Sequence, residues 1–496
     1  MRRLLALAAA LGLCVSAALA QSLPPPRASG DSAAVLIQRM IGPSSRLEAD
    51  LRVLTDEIGG RVTGSAGYEK ALRWAVDAFK RAAVDTVKLE SYPVPARWEA
   101  ISASASVSEP IPFPIRVVSF ALAPSTAGAL TAPLVDAGSG KKADFEKLGD
   151  RAKGAIVLVR SNPMKSFDDL FAEYLAAPEM MHAAVDHGAA AILFLSTRPR
   201  DLMYRHTITW GSIAPIPMAQ TAREDGLRLA RLLDAGRALK VTLDIQNRIG
   251  GPWEPRNVVA EVRGSEKPQE IVLLGAHLDA WDLGTGALDN GVNCALVVDV
   301  ARAIAAGPRP KRTIRFVLFT SEETGLLGSL GYVRKHRDEL DQHVAVVIHD
   351  IGDGKIVGYF SNGRPELDAP LKAILAPVAP WGADTPNDEA LLGTDNFDFL
   401  LEGVPNLVAN QETERYLADY HAESDTFDKV DAELARKNAA VAAVAVAGIA
   451  NASSPLGRRQ SRAEIASILE KARLNEQMKT YGLWDDWEAG KRGREK

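Results

Sequence analysis

The sequence predicts an α/β domain that is interrupted by a separate α+β unit, and two observations point to this fold class. After residue 250, apolar strand-like runs alternate with helical segments, and the runs are apolar enough to be buried on both faces of a sheet. Between residues 111 and 250, short apolar runs after a proline-rich entry indicate a unit of different texture, inserted within the larger domain. The 496 residues are ample for both parts.

The segment that precedes the insertion, residues 21–110, is assigned to the first part of the larger domain. Apolar side chains recur at helical spacing in residues 68–84, which predicts an amphipathic helix. Residues 87–92 then alternate in the manner of a strand. The elements predicted for the inserted unit are strands at 154–160 and 189–195 and a helix at 221–233.

The second part of the larger domain, residues 251–455, has the most regular pattern. Two strands at 257–263 and 270–277 are expected to pair with each other. The elements predicted after them are a helix at 291–306, a strand at 313–320, a helix at 326–340 and a strand at 343–350. Residues 456–496 are polar and end in a basic run, which predicts a solvated C-terminal tail.

Composition excludes several classes of protein. The 58 Lys and Arg against 63 Asp and Glu give a net charge of −5, which argues against a nucleic-acid binder. Two cysteines, Cys14 and Cys294, are too few for a disulfide scaffold or a Cys-based zinc cluster. Hydrophobic residues make up 47% of the chain, as in folded soluble proteins.

The first twenty residues have the features of an export signal. A positively charged start precedes a short apolar run, and Ala18 and Ala20 form a small-x-small cleavage site. We therefore expect a secreted or periplasmic protein, cleaved near Ala20. No later segment has the apolar length of a transmembrane helix, so stable membrane insertion is not expected.

Acidic and imidazole side chains follow three predicted strands at the point where each strand ends. In an α/β domain such strand ends are where functional sites lie. Two adjacent glutamates leaving a buried strand would repel each other unless a cation or a proton compensates. The side chains concerned are His277, Asp279, Asp289, Glu322, Glu323, His349 and Asp350.

A divalent metal ion is the simplest explanation for this clustering. Imidazole and carboxylate ligands without an available thiolate suit zinc, and less decisively manganese or cobalt. Because consecutive side chains of a strand point to opposite faces, only one of His349 and Asp350 faces the site, and the pattern alone leaves both open. Five other histidines are expected to be ordinary surface or core residues: His182, His187, His206, His336 and His343.

The segment from His277 to Gly291 closely resembles the signature of co-catalytic zinc exopeptidases, in particular the branch of plasma glutamate carboxypeptidase, also called carboxypeptidase Q. Three further motifs of that family are matched in order, and residues 59–65 resemble its opening segment. The likeness extends over roughly residues 40–450. The three motifs are Thr320 to Gly325, His349-Asp350, and Tyr420 to Thr426.

This resemblance implies a mixed sheet flanked by helices, with an inserted protease-associated domain at 111–250. It also implies two zinc ions bridged by Asp289, with Glu322 as general base and Asp279 orienting one ligand. A cis peptide bond between Asp289 and Asn290 is implied as well, and Asn290 itself departs from the aspartate that many relatives carry. The implied metal ligands are His277, Asp289, Glu323, Asp350 and His421.

The function implied is that of an exported zinc aminopeptidase or dipeptidase that cleaves short peptides with a free N-terminus through a metal-bridging hydroxide. The branch also suggests a homodimer. Two alternatives remain open: a single-zinc acyltransferase like glutaminyl cyclase, and a non-catalytic binding protein on the same fold. The number of bound metal ions and the presence of turnover distinguish the three.

Overall fold

The computed structural model describes residues 32–495, so the predicted signal segment lies outside the described residues. The helices are α1 Ala33–Ile41, α2 Leu47–Arg52, α3 Ala66–Arg81, α4 Lys142–Leu148, α5 Phe167–Asp186, α6 Arg223–Asp234, α7 Val292–Ala305, α8 Leu327–Lys335, α9 Asp368–Leu375, α10 Asn396–Leu401, α11 Glu414–Asp419, α12 Ala432–Asn451, α13 Arg462–Lys471, α14 Leu474–Thr480 and α15 Trp484–Glu488. The strands are β1 Thr86–Ser91, β2 Arg97–Glu109, β3 Phe113–Ile115, β4 Val117–Ser119, β5 Leu130–Asp136, β6 Ile156–Val159, β7 Ala191–Leu195, β8 Met218–Thr221, β9 Leu239–Gly250, β10 Arg256–Val262, β11 Lys267–His277, β12 Arg312–Phe319, β13 His343–Ile348, β14 Ile356–Phe360, β15 Thr385–Asn387 and β16 Asn406–Gln411.

The larger domain is built on a mixed sheet with the strand order β1-β10-β12-β11-β13-β16-β14-β15. Its centre is parallel: β11 pairs with β12 on one side and with β13 on the other, and β13 pairs with β16. The outer pairs β1–β10, β10–β12 and β14–β16 are antiparallel. The carboxyl ends of the four central parallel strands therefore meet at one edge.

The expected pairing of the strands at 257–263 and 270–277 is wrong. Strand β12 lies between them, antiparallel to β10 and parallel to β11. The short connection between β10 and β11 resembles a hairpin in the sequence. However, every residue of β12 is buried, which fits a central strand that is covered on both faces.

Helices cover both faces of this sheet, because its strands alternate buried side chains to either side. On one face, α1, α3, α7, α9 and α12 pack over residues such as Leu274 and Phe316. On the other face, α8 and α10 pack over neighbours such as Leu273 and Val317. The alanine-rich helix α12 is buried along almost its entire length. This arrangement confirms the predicted class of a mixed sheet flanked by helices.

A second sheet, with the order β3-β2-β9-β5-β6-β7-β8-β4, forms the inserted α+β unit. Its helices α4 and α5 contribute to one core cluster and α6 to another. The sheet begins at Arg97, before the predicted boundary at 111, because the long strand β2 pairs with β9. The Ser- and Ala-rich sequence of β2 has few large apolar side chains and so gives a weak strand signal.

The segment after residue 456 is not the solvated tail that its composition predicts. Helices α13, α14 and α15 contribute Ile465, Met478 and Trp487 to a buried cluster with α10. In the basic run at the end of the chain, Arg492 is buried against Asp398, with Nε–Oδ1 and Nη2–Oδ2 distances of 2.8 and 2.9 Å. One apolar face per helix is enough to anchor a segment whose average composition is polar.

Within residues 32–495, no helix combines the length and the apolar character needed to cross a lipid bilayer.

Replacing Arg492 by alanine is expected to lower the free energy of unfolding by about 3–5 kcal/mol, because the Asp398 carboxylate would remain buried without its partner. Urea unfolding followed by circular dichroism measures the difference. The control is Arg473→Ala, which removes an exposed ion pair with Glu476 and should cost at most about 1 kcal/mol. Equal effects of the two substitutions would contradict a structural role for the C-terminal segment.

Candidate metal centre

Three loops bring acidic and imidazole side chains to the carboxyl edge of the parallel strands. His277 is the last residue of β11, Glu322 and Glu323 lie in the loop after β12, and Asp350 follows β13. These strands are neighbours in the sheet, so their following loops are neighbours as well.

The side chains form two groups of three that share Asp289. In the first, His277 Nε2 lies 2.8 Å from Asp350 Oδ1 and 3.2 Å from Asp289 Oδ1. In the second, His421 Nε2 lies 3.0 Å from Glu323 Oε2 and 3.3 Å from Asp289 Oδ2. The ligand atoms of each group lie within 4.8 Å of one another. The two oxygens of Asp289 thus point to different groups.

The shifted pKa values of the side chains in these groups indicate that the site needs positive charge. Burial raises the pKa of Glu323 to about 7, against the opposing effect of His421. Burial would lower the pKa of His421, but Glu323 and Asp289 outweigh it and raise that pKa to about 9. Both shifts favour a bound proton, which supplies the compensation that a group of buried carboxylates needs in place of a cation. Asp289 Oδ2 and Glu323 Oε1 are buried and accept no hydrogen bond, so the donor set fits metal ions.

Asp289 is held in place through its main chain. The Asp425 carboxylate accepts hydrogen bonds from the amides of Ala287, Leu288 and Asp289 at 3.0, 2.6 and 3.1 Å. The peptide bond between Asp289 and Asn290 is cis, as the resemblance implies. Three amide contacts to one carboxylate determine the direction in which the Asp289 side chain leaves this loop.

Arg61, in the opening segment, also holds this loop in place. Its buried guanidinium donates to the carbonyl oxygens of Leu278, Thr285 and Gly286 at 2.8, 2.7 and 2.8 Å. The Asn290 side chain donates to the His349 carbonyl at 2.9 Å and accepts from the Asn293 side chain at 2.7 Å. The departure at Asn290 therefore lies outside the ligand set.

Asp279 contacts both His277 and the loop of Glu322. His277 Nδ1 lies 2.9 Å from the main-chain oxygen of Asp279 and 3.8 Å from its carboxylate. The carboxylate instead accepts from the Glu322 amide at 3.3 Å. The contact that orients the imidazole thus runs through the backbone, whereas the side chain of Asp279 supports the Glu322 loop. Glu322 Oε2 lies 4.0 Å from His277 Nε2, beside the first group.

Of the two residues that the pattern leaves open, Asp350 contacts His277, whereas the ring nitrogens of His349 have no hydrogen-bond partner among the described residues. Neither metal-ligand group contains any of the five histidines expected to be ordinary residues. One of them, His206, is buried with its ring centroid 4.2 Å from that of Tyr174, and burial lowers its pKa to about 3.

A cavity of about 380 Å³ lies over the two groups. One wall is the face of α5 formed by Phe167, Leu170, Phe171 and Tyr174, which are spaced one helical turn apart. Other walls come from the larger domain and from Tyr481 at the end of α14. The cavity is of the size that binds small ligands.

Several residues of this centre carry no signal that a single sequence reveals. Arg61 and Asp425 lie within the matched motifs, but their hydrogen bonds to main-chain groups leave no pattern of their own. Tyr174 lies in the inserted unit, and its hydroxyl is 3.2 Å from His421 Nδ1. The one available sign is the apolar stripe on α5, which a core helix would also show.

Comparison with known proteins places this geometry in a family. Residues 257–446 match the model of peptidase family M28. Carboxypeptidase Q of Xenopus laevis is 30% identical over 394 residues, which are 77% of this chain and 81% of that protein. The chain belongs to peptidase family M28. Membership confirms both the predicted exopeptidase relationship and the enzyme class, a metallopeptidase.

Solved structures agree with the M28 assignment. A peptidase M28 precursor from Shewanella amazonensis is 29% identical, with a TM-score of 0.77 over 86% of this chain and 98% of that one. A zinc aminopeptidase from Bacillus subtilis has the same fold, with a TM-score of 0.65, 22% identity, and coverage of 81% of this chain and 93% of that one.

Substitutions of single ligands are expected to separate the two groups. His277→Ala and His421→Ala should each remove about one metal ion per chain, and Asp289→Ala should reduce binding at both groups because both use its carboxylate. Plasma mass spectrometry after dialysis against zinc measures the number of metal ions bound per chain. His182→Ala, at an exposed position, is the control and should leave them unchanged. Equal loss in the Asp289 and His277 variants would contradict a shared ligand.

Proposed function

We propose that this M28 peptidase is an exported exopeptidase that uses two zinc ions to hydrolyse short peptides with a free N-terminus. The observation that carries the proposal is the sharing of Asp289 between two groups of ligands. Export rests on the signal-like residues 1–20. The unit on the second sheet is proposed to be a protease-associated domain.

His277, Asp350 and one oxygen of Asp289 would hold one zinc ion, and Glu323, His421 and the other oxygen of Asp289 would hold the second. Histidine nitrogen and carboxylate oxygen are ligands typical of catalytic zinc. When bound, zinc polarises the scissile carbonyl group and lowers the pKa of water. Four of the five side chains are almost completely buried, which supports tight binding because water competes little with the ligands.

Glu322 is the proposed general base and acid. Burial raises the pKa of this carboxyl group well above its ordinary value, although His277 opposes the shift. Glu322 lines the cavity beside the metal groups. From this position its carboxylate can take a proton from the attacking water and pass it to the leaving amine. The Glu322 amide contacts the Asp279 carboxylate, which keeps this loop in register with β11.

The cavity lining favours recognition of an N-terminus over a C-terminus. Among the described residues that line it, none is Lys or Arg, so a substrate carboxylate would find no cationic side chain there. Beyond the metal groups and Glu322, its charged side chains are Asp168 and Glu389, which suit a substrate ammonium group. The aromatic face of α5 suits an apolar N-terminal side chain. We therefore favour aminopeptidase or dipeptidase action, although relatives carry the name carboxypeptidase Q.

Glu322→Gln is expected to lower turnover of an apolar dipeptide by a factor of about 100 or more, because the amide cannot accept the proton. Zinc content should stay at two per chain. Both quantities are measured on the same preparation. Glu266→Gln, at an exposed position, is the matched control and should retain full turnover.

The same assay tests the substrate class. Acetylation of the dipeptide amino group should abolish hydrolysis, whereas amidation of its carboxyl group should be tolerated. Full turnover by Glu322→Gln would remove this residue from its proposed role. Cleavage of the acetylated dipeptide that is faster than cleavage of the unacetylated dipeptide would contradict recognition of a free N-terminus.

A further inference from the structure

Residues 203–211 of the inserted unit pair with the loop that carries His421. The Arg205 amide donates to the His421 carbonyl at 2.9 Å, and the Glu423 amide donates to the Met203 carbonyl at 2.9 Å. The two backbones run antiparallel at this point. The position of the His421 backbone thus depends on the inserted unit.

The imidazole ring of His421 is oriented by the same unit. Its Nδ1 atom lies 3.2 Å from the Arg205 carbonyl oxygen and 3.2 Å from the Tyr174 hydroxyl. A carbonyl oxygen can only accept, so this contact keeps the proton on Nδ1 and leaves Nε2 free as a ligand atom. Hydrogen bonds of this kind orient histidine ligands and tune their affinity for metal.

Residues 203–211 also reach the loop of Glu323. The Gly211 amide donates to the Thr324 carbonyl at 2.6 Å. Trp210 packs so closely on Gly325 that a Cβ atom there would lie 2.8 Å from the Trp210 side chain. The residue after Glu323 is therefore fixed by the inserted unit.

The Arg205 side chain fastens these residues at both ends. Its buried guanidinium contacts Asp282 through Nε at 2.8 Å and donates to the Ser119 carbonyl of β4 at 2.6 Å. One contact reaches the loop between His277 and Asp289, and the other reaches the second sheet. Arg205 thus joins the inserted unit to the larger domain beside the metal groups.

The other group of ligands is oriented from within the larger domain. His277 contacts the Asp279 carbonyl through Nδ1, and its own carbonyl accepts from Cys294 Sγ at 2.8 Å. We propose that the inserted unit acts as a positioning element for one metal subsite, that of Glu323 and His421, with Tyr174 and Arg205 as its positioning residues. This inference rests on the proposed two-zinc function.

The test is a zinc titration of metal-free protein, with binding followed by a competing chelator dye. Tyr174→Phe and Arg205→Met are expected to lower the affinity for one of the two zinc ions by about 10- to 100-fold and to leave the affinity for the other unchanged. The controls are Tyr332→Phe, a buried tyrosine bonded to Arg315, and Arg160→Met, an ion-paired arginine within the inserted unit. Both controls should bind zinc as the unaltered protein does.

Two backgrounds assign the effect to a subsite. In His277→Ala protein, Tyr174→Phe should lower the affinity for the one zinc ion that still binds. In His421→Ala protein, Tyr174→Phe should leave the zinc affinity unchanged. Arg205→Lys, which keeps a cation facing Asp282, should recover part of the affinity. If Arg205→Met does not fold, the Tyr174 variant decides.

Unchanged affinity in Tyr174→Phe, equal weakening of both ions, or an effect that persists in His421→Ala protein would overturn the inference. Binding of fewer than two zinc ions by the unaltered protein would instead contradict the proposed function. The two failures are thus distinguishable.

Discussion

The carboxylate of Asp289 is the constraint on which this centre depends, because its two oxygens face two different groups of ligands. A carboxylate so placed and nearly buried must be compensated on both sides. Burial alone would raise the pKa of Asp289, but the neighbouring imidazoles of His277 and His421 lower it below its ordinary value. Metal ions on the two sides would take over the compensation that the imidazoles otherwise supply.

The architecture serves to keep this carboxylate and its neighbours in register. The parallel strands bring His277, the two glutamates and Asp350 to one edge, and Asp425 and Arg61 fix the loop that contains Asp289. His421 comes from a loop outside those strands, and the inserted unit pairs with that loop. Hydrogen bonds from residues 203–211 therefore connect the inserted unit to the centre. The apolar face of its helix α5 forms a wall of the same cavity.

Much of this arrangement could be predicted from the sequence, because strands buried on both faces give long apolar runs with polar residues at their ends. The helices and strands from 257 to 350 follow that pattern closely. The strand order could not be predicted in the same way, because β10 and β11 are adjacent in the sequence but are separated by β12 in the sheet. The C-terminal helices were hidden by polar composition, and the buried pair of Arg492 and Asp398 depends on residues 94 positions apart. The contact between Asp279 and His277 runs through a backbone carbonyl, which no side-chain pattern encodes.

The most direct test of the shared carboxylate is X-ray diffraction from zinc-loaded crystals, recorded above and below the zinc absorption edge. The account predicts two anomalous peaks about 3.5–4 Å apart, as in two-metal hydrolytic sites, each next to a different oxygen of Asp289. A single peak, or two peaks of which only one adjoins Asp289, would contradict it.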